Sequence, residues 1–151
     1  MLQLSYVLVY CALLAPYYAY AQSRPELTKP GECPKLPHPL PKPTFKDKIT
    51  IVGIFTNIKS TTPGSAANLR QCEPGDFKKT EGHTLIGTDN KSYFLFYNCI
   101  EFNIQGKKTH LEIATALVVP KGPDPGTDKR FREALDKNKL GLKEWLPLCK
   151  V

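Results

Sequence analysis

The run SYFLFYNCIEFNI at residues 92–104 constrains the fold more than any other part of this sequence. Successive side chains of a β-strand point to opposite faces of the sheet, and apolar residues occupy both sets of positions in this run. An antiparallel strand of this kind needs a cover on each face. The run therefore predicts a sheet with a helix over part of one face and a packed core or an enclosed cavity against the other.

The segments around this run predict its partners. The run THLEIATALVV at 109–119 is again β-branched and apolar, and the QGKK stretch with Gly106 between the two runs predicts a hairpin. The run KITIVGIFTNI at 48–58 predicts another strand, with a bulge or bend at Gly53. TLIG at 84–87 predicts a short strand, and AANLRQC at 66–72 predicts a weak one.

The periodicity changes after the last of these strands. Phe131, Ala134 and Leu135 follow helical spacing, and charged residues occupy the other positions. The pattern predicts one amphipathic helix over 128–140, capped by Thr127 and ended by Gly141. The fold class is mostly β: an antiparallel sheet of about five to six strands with one C-terminal α-helix.

The first 21 residues predict a cleaved signal peptide and a secreted, extracellular protein. They contain no Lys, Arg, Asp or Glu and end in Ala19-Tyr20-Ala21, which suits cleavage before Gln22. Pro16 and the nearby tyrosines interrupt the apolar stretch, which is too short for a membrane anchor. The mature chain of 130 residues is long enough for one domain.

Cysteine usage supports the same compartment. Cleavage removes Cys11 and leaves an even set, which predicts two disulfides in an oxidising environment; sequence alone allows three pairings. The absence of a C-x-x-C pair argues against zinc. The four cysteines that remain are Cys33, Cys72, Cys99 and Cys149.

Residues 22–45 contain seven prolines and predict an extended N-terminal arm that Cys33 ties to the domain at 46–151. A Pro-rich recognition ligand is the less favoured alternative. The net charge of +7 is spread along the chain and is typical of a solvated surface, or of attraction to an acidic protein or a membrane surface. Nothing in the sequence matches a nucleic-acid-binding motif.

Several motifs resemble the lipocalins. Gly87-Thr88-Asp89, Tyr93, Tyr97 and Cys99 resemble the second conserved motif of the apolipoprotein D, bilin-binding and crustacyanin group. GKKTHLEIATALVV resembles the following barrel strand of that group, EALDKNKLGLKEWLPLCK its C-terminal helix and tail, and GECPKLP its N-terminal arm. The resemblance implies a β-barrel, a turn held by Thr88 and Asp89, and the disulfides Cys33–Cys99 and Cys72–Cys149.

The sequence also departs from that family. It has no Gly-x-Trp on a first strand and no arginine after the last barrel strand, and its one tryptophan is Trp145. Residues 46–119 provide 74 positions, whereas eight strands with their turns need about 90. We therefore expect an incomplete barrel, whose open edges could pair with a second copy in a homodimer.

The candidate ligand surface is apolar and aromatic, as sites for small hydrophobic molecules are. The same residues would also suit a packed core, and periodicity does not distinguish the two roles. Asn90-Lys91-Ser92 is a glycosylation sequon in the predicted turn. The proposed ligand-binding set is Phe55, Tyr93, Leu95, Tyr97, Leu111, Ile113 and Leu117.

The sequence does not predict an enzyme, a metal site or a cofactor. It contains no nucleophile elbow, H-E-x-x-H motif or phosphate loop, and disulfide formation would leave no free thiol. We expect Glu101 and Glu112 to point to solvent and the three histidines to lie on the surface or in turns.

These features favour a secreted carrier of a small hydrophobic ligand, such as a lipid, pigment or odorant. The first alternative is a secreted protein-interaction antagonist of the salivary or venom type on the same scaffold. The second is a shortened splice product with impaired binding.

Overall fold

The computed structural model describes residues 28–41, 49–57, 69, 71–72 and 83–150. The predicted signal peptide, the start of the arm and most of the weak strand AANLRQC lie outside the described residues. The elements in chain order are β1 (Lys29–Pro30), β2 (Thr50–Thr56), β3 (Thr84–Thr88), β4 (Tyr93–Ile104), β5 (Lys107–Val118), α1 (Lys129–Lys137) and β6 (Glu144–Pro147).

Among the residues that the structure describes, the strands form one six-stranded antiparallel sheet, which is not closed. Its order is β3-β4-β5-β2-β6, and β1 pairs with β5 off this path. The prediction of a mostly β, incomplete barrel-like sheet with one C-terminal helix is confirmed. Strand β6 was missed, because EWLP is short and carries a proline, which weakens any strand pattern.

The described chain divides into two units. The smaller unit contains residues 28–33 and 100–111, which include β1 and the hairpin turn. Gln105 and Gly106 have φ values of 51° and 78°, so both turn residues are left-handed, as a two-residue hairpin turn requires. The predicted hairpin is therefore confirmed.

Strand β1 is held on β5 within this smaller unit. Lys29 pairs with His110, and Glu32 forms an ion pair with Lys108. His110 is only 6% exposed and its Nδ1 lies 3.0 Å from the carbonyl oxygen of Gly31. The expectation of a surface histidine is wrong for His110, because the arm covers its ring.

The larger unit contains residues 34–99 and 112–150 within the described ranges. Here β2 pairs with β5, and the register shifts between Ile51 and Gly53, so the predicted irregularity at Gly53 is confirmed. A Cβ on Gly53 would lie 2.5 Å from Cη2 of Trp145. Glycine is required here because the indole of β6 packs directly on the β2 backbone.

Helix α1 is shorter than predicted and is capped by different residues. The Asp128 side chain accepts a hydrogen bond from the Arg130 backbone N–H at 3.0 Å, whereas the predicted cap, Thr127, donates to Asp124 instead. At the other end Lys139 has a φ of 57°. The Leu140 N–H then donates to the Leu135 carbonyl at 3.0 Å, so the helix ends in a Schellman-type turn before Gly141.

Both faces of β4 are buried over residues 93–97, whereas Glu101 and Asn103 farther along the strand are exposed. Its Tyr93, Leu95 and Tyr97 side belongs to what we call the helix-side cluster, and its Phe94 and Phe96 side belongs to the second cluster. The predicted apolar face of α1 packs in the helix-side cluster. The helix-side cluster consists of Val52, Phe55, Ile86, Tyr93, Leu95, Tyr97, Ala114, Ala116, Val118, Phe131, Ala134, Leu135, Leu140 and Leu142, and the second of Ile49, Leu85, Phe94, Phe96 and Leu117.

Part of the Pro-rich arm lies across the larger unit. Leu36 packs against the helix-side cluster, and the His38 N–H donates to Asn138 Oδ1 at 3.1 Å. The Leu40 N–H donates to the carbonyl of Leu85 at 2.8 Å, on the edge strand β3. The arm therefore occupies part of an edge that would otherwise be open for pairing.

All four cysteines of the described residues are disulfide-bonded. Cys72 pairs with Cys149 across 77 residues, and Cys33 and Cys99 are disulfide-bonded as well. The bonds indicate an oxidising environment. Within the described ranges, none of the helices has the length and apolar character needed to span a membrane.

Replacing Gly87 by alanine should separate the helix from the sheet. A Cβ at this position would lie 2.8 Å from the Cβ of Ala134 on α1, so we expect a loss of about 1–3 kcal/mol in unfolding free energy. Denaturant unfolding measures the loss. The double variant Gly87→Ala/Ala134→Gly removes the clash and should be no less stable than Ala134→Gly alone.

Gly141→Ala is the matched control, because a Cβ there has no heavy atom within 4 Å. It should change stability by about 0.5 kcal/mol or less. Equal effects of Gly87→Ala and Gly141→Ala would contradict the close helix–sheet contact.

Candidate functional site

A cleft of about 470 Å³ lies beside the β2–β6 edge of the larger unit. Its walls come from β2, from β6 with the tail that follows, from the loop before α1 and from residue 69. The residues that line it are Val52, Leu69, Asp124, Pro125, Trp145, Pro147, Cys149 and Lys150.

Trp145 is the largest side chain of the cleft, and three neighbours hold it in place. Its ring centroid lies 4.7 Å from that of Phe55, at an interplanar angle of 42°. Gly53 and Gly126 leave the space that its ring occupies, since a Cβ on Gly126 would lie 2.9 Å from Cδ1 of Trp145. The indole is therefore fixed by backbone shape as well as by ring packing, and it forms a rigid apolar wall.

The polar groups of the cleft are an acidic and a basic side chain, Asp124 and Lys150. Asp124 Oδ1 accepts a hydrogen bond from the Gly126 N–H at 3.0 Å, and Oδ2 accepts one from Thr127 Oγ1 at 3.2 Å. These bonds fix the loop that carries Pro125. The cleft is thus mainly apolar, with a few oriented polar groups, as small-molecule sites are.

The predicted ligand-binding set does not line this cleft. Phe55, Tyr93, Leu95 and Tyr97 lie in the helix-side cluster, each 5% exposed or less. The rings of Phe55 and Tyr93 pack against that of Phe131 on α1. The remaining three are divided: Leu117 belongs to the second cluster, whereas Leu111 and Ile113 are half-buried.

A buried polar pair lies among the apolar residues of the helix-side cluster. The Tyr97 hydroxyl donates to Glu112 Oε1 at 2.8 Å, and the two residues are only 4% and 6% exposed. Burial raises the pKa of Tyr97, and the adjacent carboxylate of Glu112 raises it further. The expectation that Glu112 faces solvent is wrong, because the tyrosine hydroxyl solvates its carboxylate inside the protein.

The turn between β3 and β4 is organised by Thr88 and Asp89, as the sequence predicts. Thr88 Oγ1 donates to the Tyr93 carbonyl at 2.7 Å and accepts from the Asn90 N–H at 2.8 Å. The Asp89 carboxylate accepts bonds from the backbone N–H groups of residues 91, 92 and 93 and from the Ser92 hydroxyl. The turn is therefore closed by side chains rather than by strand pairing.

The same carboxylate ties the turn to α1. Arg130 Nη1 lies 3.2 Å from Asp89 Oδ2, and Arg130 also binds its own cap residue Asp128. The guanidinium carbon lies 4.9 Å from the centre of the Tyr93 ring, which adds a cation–π contact. Arg130 thus joins the helix start, the turn and the first aromatic residue of β4.

Asp89 is electrostatically adapted to this position. Partial burial acts to raise the pKa of its carboxyl, but the hydrogen bonds from Ser92, Lys91 and Tyr93 outweigh that effect and hold the pKa well below its usual range. The carboxylate is therefore charged at all ordinary pH values. Its hydrogen bonds hold residues 91–93 of the turn in one conformation.

Asn90, the acceptor residue of the sequon, lies at the exposed tip of this turn. Its φ of 60° is a left-handed conformation that asparagine tolerates better than most residues. Its side chain is not needed to hold the turn, since Thr88 and Asp89 make the bonds that do so.

Sequence reasoning missed the cleft. Its largest side chain, Trp145, lies in the tail KEWLPLC. The signal available there was the strand-like alternation of Trp145 and Pro147 with their neighbours in sequence. No group of three or more potential metal ligands occurs among the residues that the structure describes.

Removing the Tyr97 hydroxyl should destabilise the protein. Tyr97→Phe leaves the buried Glu112 without this donor, so we expect a loss of about 1–3 kcal/mol, measured by denaturant unfolding. Tyr93→Phe is the matched control on the same face of β4, and its effect should be smaller. Equal losses in the two variants would show that the buried pair has no special role.

Asp89 should contribute stability only where it is charged. Because its pKa is lower in the folded state, its contribution is complete above the unfolded value of about 4 and is lost as pH falls below it. At pH 6 Asp89→Asn should lower the unfolding free energy by about 1–2 kcal/mol. The difference from wild type should shrink steadily between pH 4 and pH 2.

The exposed helix residue Asp136 provides the control for this pH series. Asp136→Asn, the same change at a surface carboxylate outside the turn, should change the unfolding free energy at pH 6 by about 0.5 kcal/mol or less. A gap between wild type and Asp89→Asn that stays constant down to pH 2 would contradict the depressed pKa.

Comparisons with protein-family models and with curated protein sequences gave no match. What the site does is therefore inferred from its own geometry and chemistry.

Proposed function

We propose that this protein is a secreted carrier of a small hydrophobic ligand, built on a shortened lipocalin-type scaffold, and that the ligand binds in the cleft beside Trp145. The observation that carries the proposal is the cleft itself. Its volume of about 470 Å³ is within the range of small-molecule sites, roughly 300–1,000 Å³. Its walls are mostly apolar, with two charged groups that could orient a polar end.

The binding energy would come mainly from removing apolar surface from water. A ligand that buries about 200 Å² of apolar surface gains about 5 kcal/mol before the costs of association. Because Phe55, Gly53 and Gly126 fix the indole, little ordering is required on the protein side. A preformed wall of this kind favours affinity.

The helix-side cluster is a poorer location for a ligand. Phe131 is fully buried there, 4.6 Å from the ring of Tyr93 and 6.2 Å from that of Phe55, measured between centroids. Rings at these distances fill the space between strand and helix. The proposed carrier function therefore moves from the predicted strand residues to the cleft at the sheet edge.

The scaffold features that support a lipocalin-type interpretation are local. They are the turn at Thr88 and Asp89, the arm across the larger unit, the C-terminal helix and the disulfide of the tail. The departure is the open sheet, to which the described residues contribute six strands.

Secretion would also expose the sequon at Asn90 to glycosylation. The residue is solvent-exposed, and the turn is held by its neighbours, so a glycan on Asn90 would disturb none of the hydrogen bonds that close the turn. The disulfides agree with this compartment.

A charge placed on an apolar wall of the cleft should weaken ligand binding. Leu69→Asp puts a carboxylate on one wall, so the affinity for 11-(dansylamino)undecanoic acid should fall about tenfold or more. Energy transfer to the dansyl group from Trp145, the only tryptophan, reports binding at this cleft.

The matched control is Leu148→Asp, the same change at a leucine that is 55% exposed and outside the cleft lining. It should leave the affinity within about twofold of wild type. A wild-type protein that stays monodisperse but does not bind the probe would overturn the carrier proposal and direct attention to protein partners.

A further inference from the structure

Two of the segments that line the cleft are far apart in sequence. Leu69 stands on one side, three residues before Cys72, and Trp145, Pro147, Cys149 and Lys150 stand on the other. The cysteines of the two segments are 77 positions apart in sequence. Whatever joins these two segments therefore holds the Leu69 side of the cleft in place.

Two described contacts join them. The Cys72–Cys149 disulfide is the covalent one. The other is an isolated parallel bridge between Gln71 and Lys150, in which the Cys72 N–H donates to the Lys150 carbonyl at 2.7 Å. A single bridge at a half-exposed surface is a weak restraint in water. The disulfide is the strong restraint.

The two walls differ in how they are supported without that bond. Strand β6 is paired with β2 at four positions, from Gly53–Pro147 to Thr56–Glu144, and the Leu148 N–H donates to the Val52 carbonyl at 2.8 Å. Trp145 is also held by Phe55. Breaking the disulfide would therefore leave the tryptophan wall in place and remove the covalent restraint on the Leu69 wall, whose other described contacts are the Cys72–Lys150 hydrogen bond and the packing of Cys72 against the helix-side cluster.

We propose that the Cys72–Cys149 disulfide is a thiol-sensitive latch of the binding cleft, so that its reduction opens the site and releases the ligand. This inference rests on the carrier function proposed above. Cys149 lines the cleft and both cysteines are only half-buried, so an external thiolate can reach the bond. A ligand that covers Cys149 would shield the bond from the attacking thiolate and should therefore slow the reduction.

The chemistry is thiol–disulfide exchange with a dithiol reductant. A thiolate of the reductant attacks one protein sulfur, forms a mixed disulfide and displaces the other protein sulfur as a thiolate, which takes up a proton. The second thiol of the reductant then displaces the first protein sulfur. The protein gains two thiols, and the reductant becomes a cyclic disulfide.

The test uses the oxidised, full mature protein and 11-(dansylamino)undecanoic acid as the probe. Dithiothreitol is added in steps, free thiols at each cysteine are mapped by alkylation and mass spectrometry, and probe affinity is measured by energy transfer from Trp145. We expect loss of the Cys72–Cys149 bond to weaken probe binding at least tenfold. A saturating probe should slow reduction of that bond several-fold.

Two variants separate the latch from general loss of structure. Cys72→Ser/Cys149→Ser should bind the probe at least tenfold more weakly while keeping the far-ultraviolet circular dichroism of the wild type. Cys33→Ser/Cys99→Ser removes the other cysteines of the described residues, and its affinity should stay within about threefold of wild type. If Cys72→Ser/Cys149→Ser does not fold, stepwise reduction of the wild type gives the answer.

The outcomes distinguish the two proposals. Oxidised wild type that does not bind the probe overturns the carrier function itself. Oxidised wild type that binds, with equal affinity after selective reduction of Cys72–Cys149, overturns the latch alone. Acrylamide quenching of Trp145 gives an independent check, since an opened cleft should make the indole markedly more accessible.

Discussion

The docking of one aromatic ring organises the larger unit. Phe131 is fully buried, and its ring lies within packing distance of Phe55 on β2 and Tyr93 on β4. Only a helix that approaches the sheet closely can place the ring there, and that approach is possible because Gly87 has no side chain facing Ala134. Arg130 then fastens the start of the helix to the β3–β4 turn through Asp89. The start of α1, the β3–β4 turn and the helix-side cluster are therefore joined by the close packing of α1 on the sheet.

The elements of this arrangement could be predicted where the local pattern and the tertiary environment agree. The apolar run of β4, the hairpin at Gly106 and the helix face with Phe131 all follow from periodicity, and the bulge at Gly53 follows from a glycine inside a strand. The ends of the helix could not be predicted as well. Asp128 competes with Thr127 for the cap, and a lysine adopts the left-handed conformation expected of Gly141.

The candidate site could not be predicted, because it depends on contacts between distant parts of the chain. Periodicity places Tyr93, Leu95 and Tyr97 on one face, but it cannot tell a ligand-lined face from one filled by a helix. The burial of Glu112 has the same origin: its partner hydroxyl comes from another strand, and a charged residue in an alternating pattern normally indicates solvent. The cleft required knowing that residue 69 and the tail meet.

The position of the cleft follows from how the rest of the unit is packed. Where α1 covers the sheet, aromatic rings fill the space and the Tyr97 hydroxyl bonds to Glu112. A ligand entering there would have to displace the rings and break this buried hydrogen bond. At the β2–β6 edge the situation is different. The indole of Trp145, seated on Gly53 of β2, and the rest of the four-residue strand β6 provide one wall, and the Cys72–Cys149 disulfide joins the tail after that strand to the opposite segment. Because covalent closure does not require the intervening volume to be filled, this edge can hold a stable cleft.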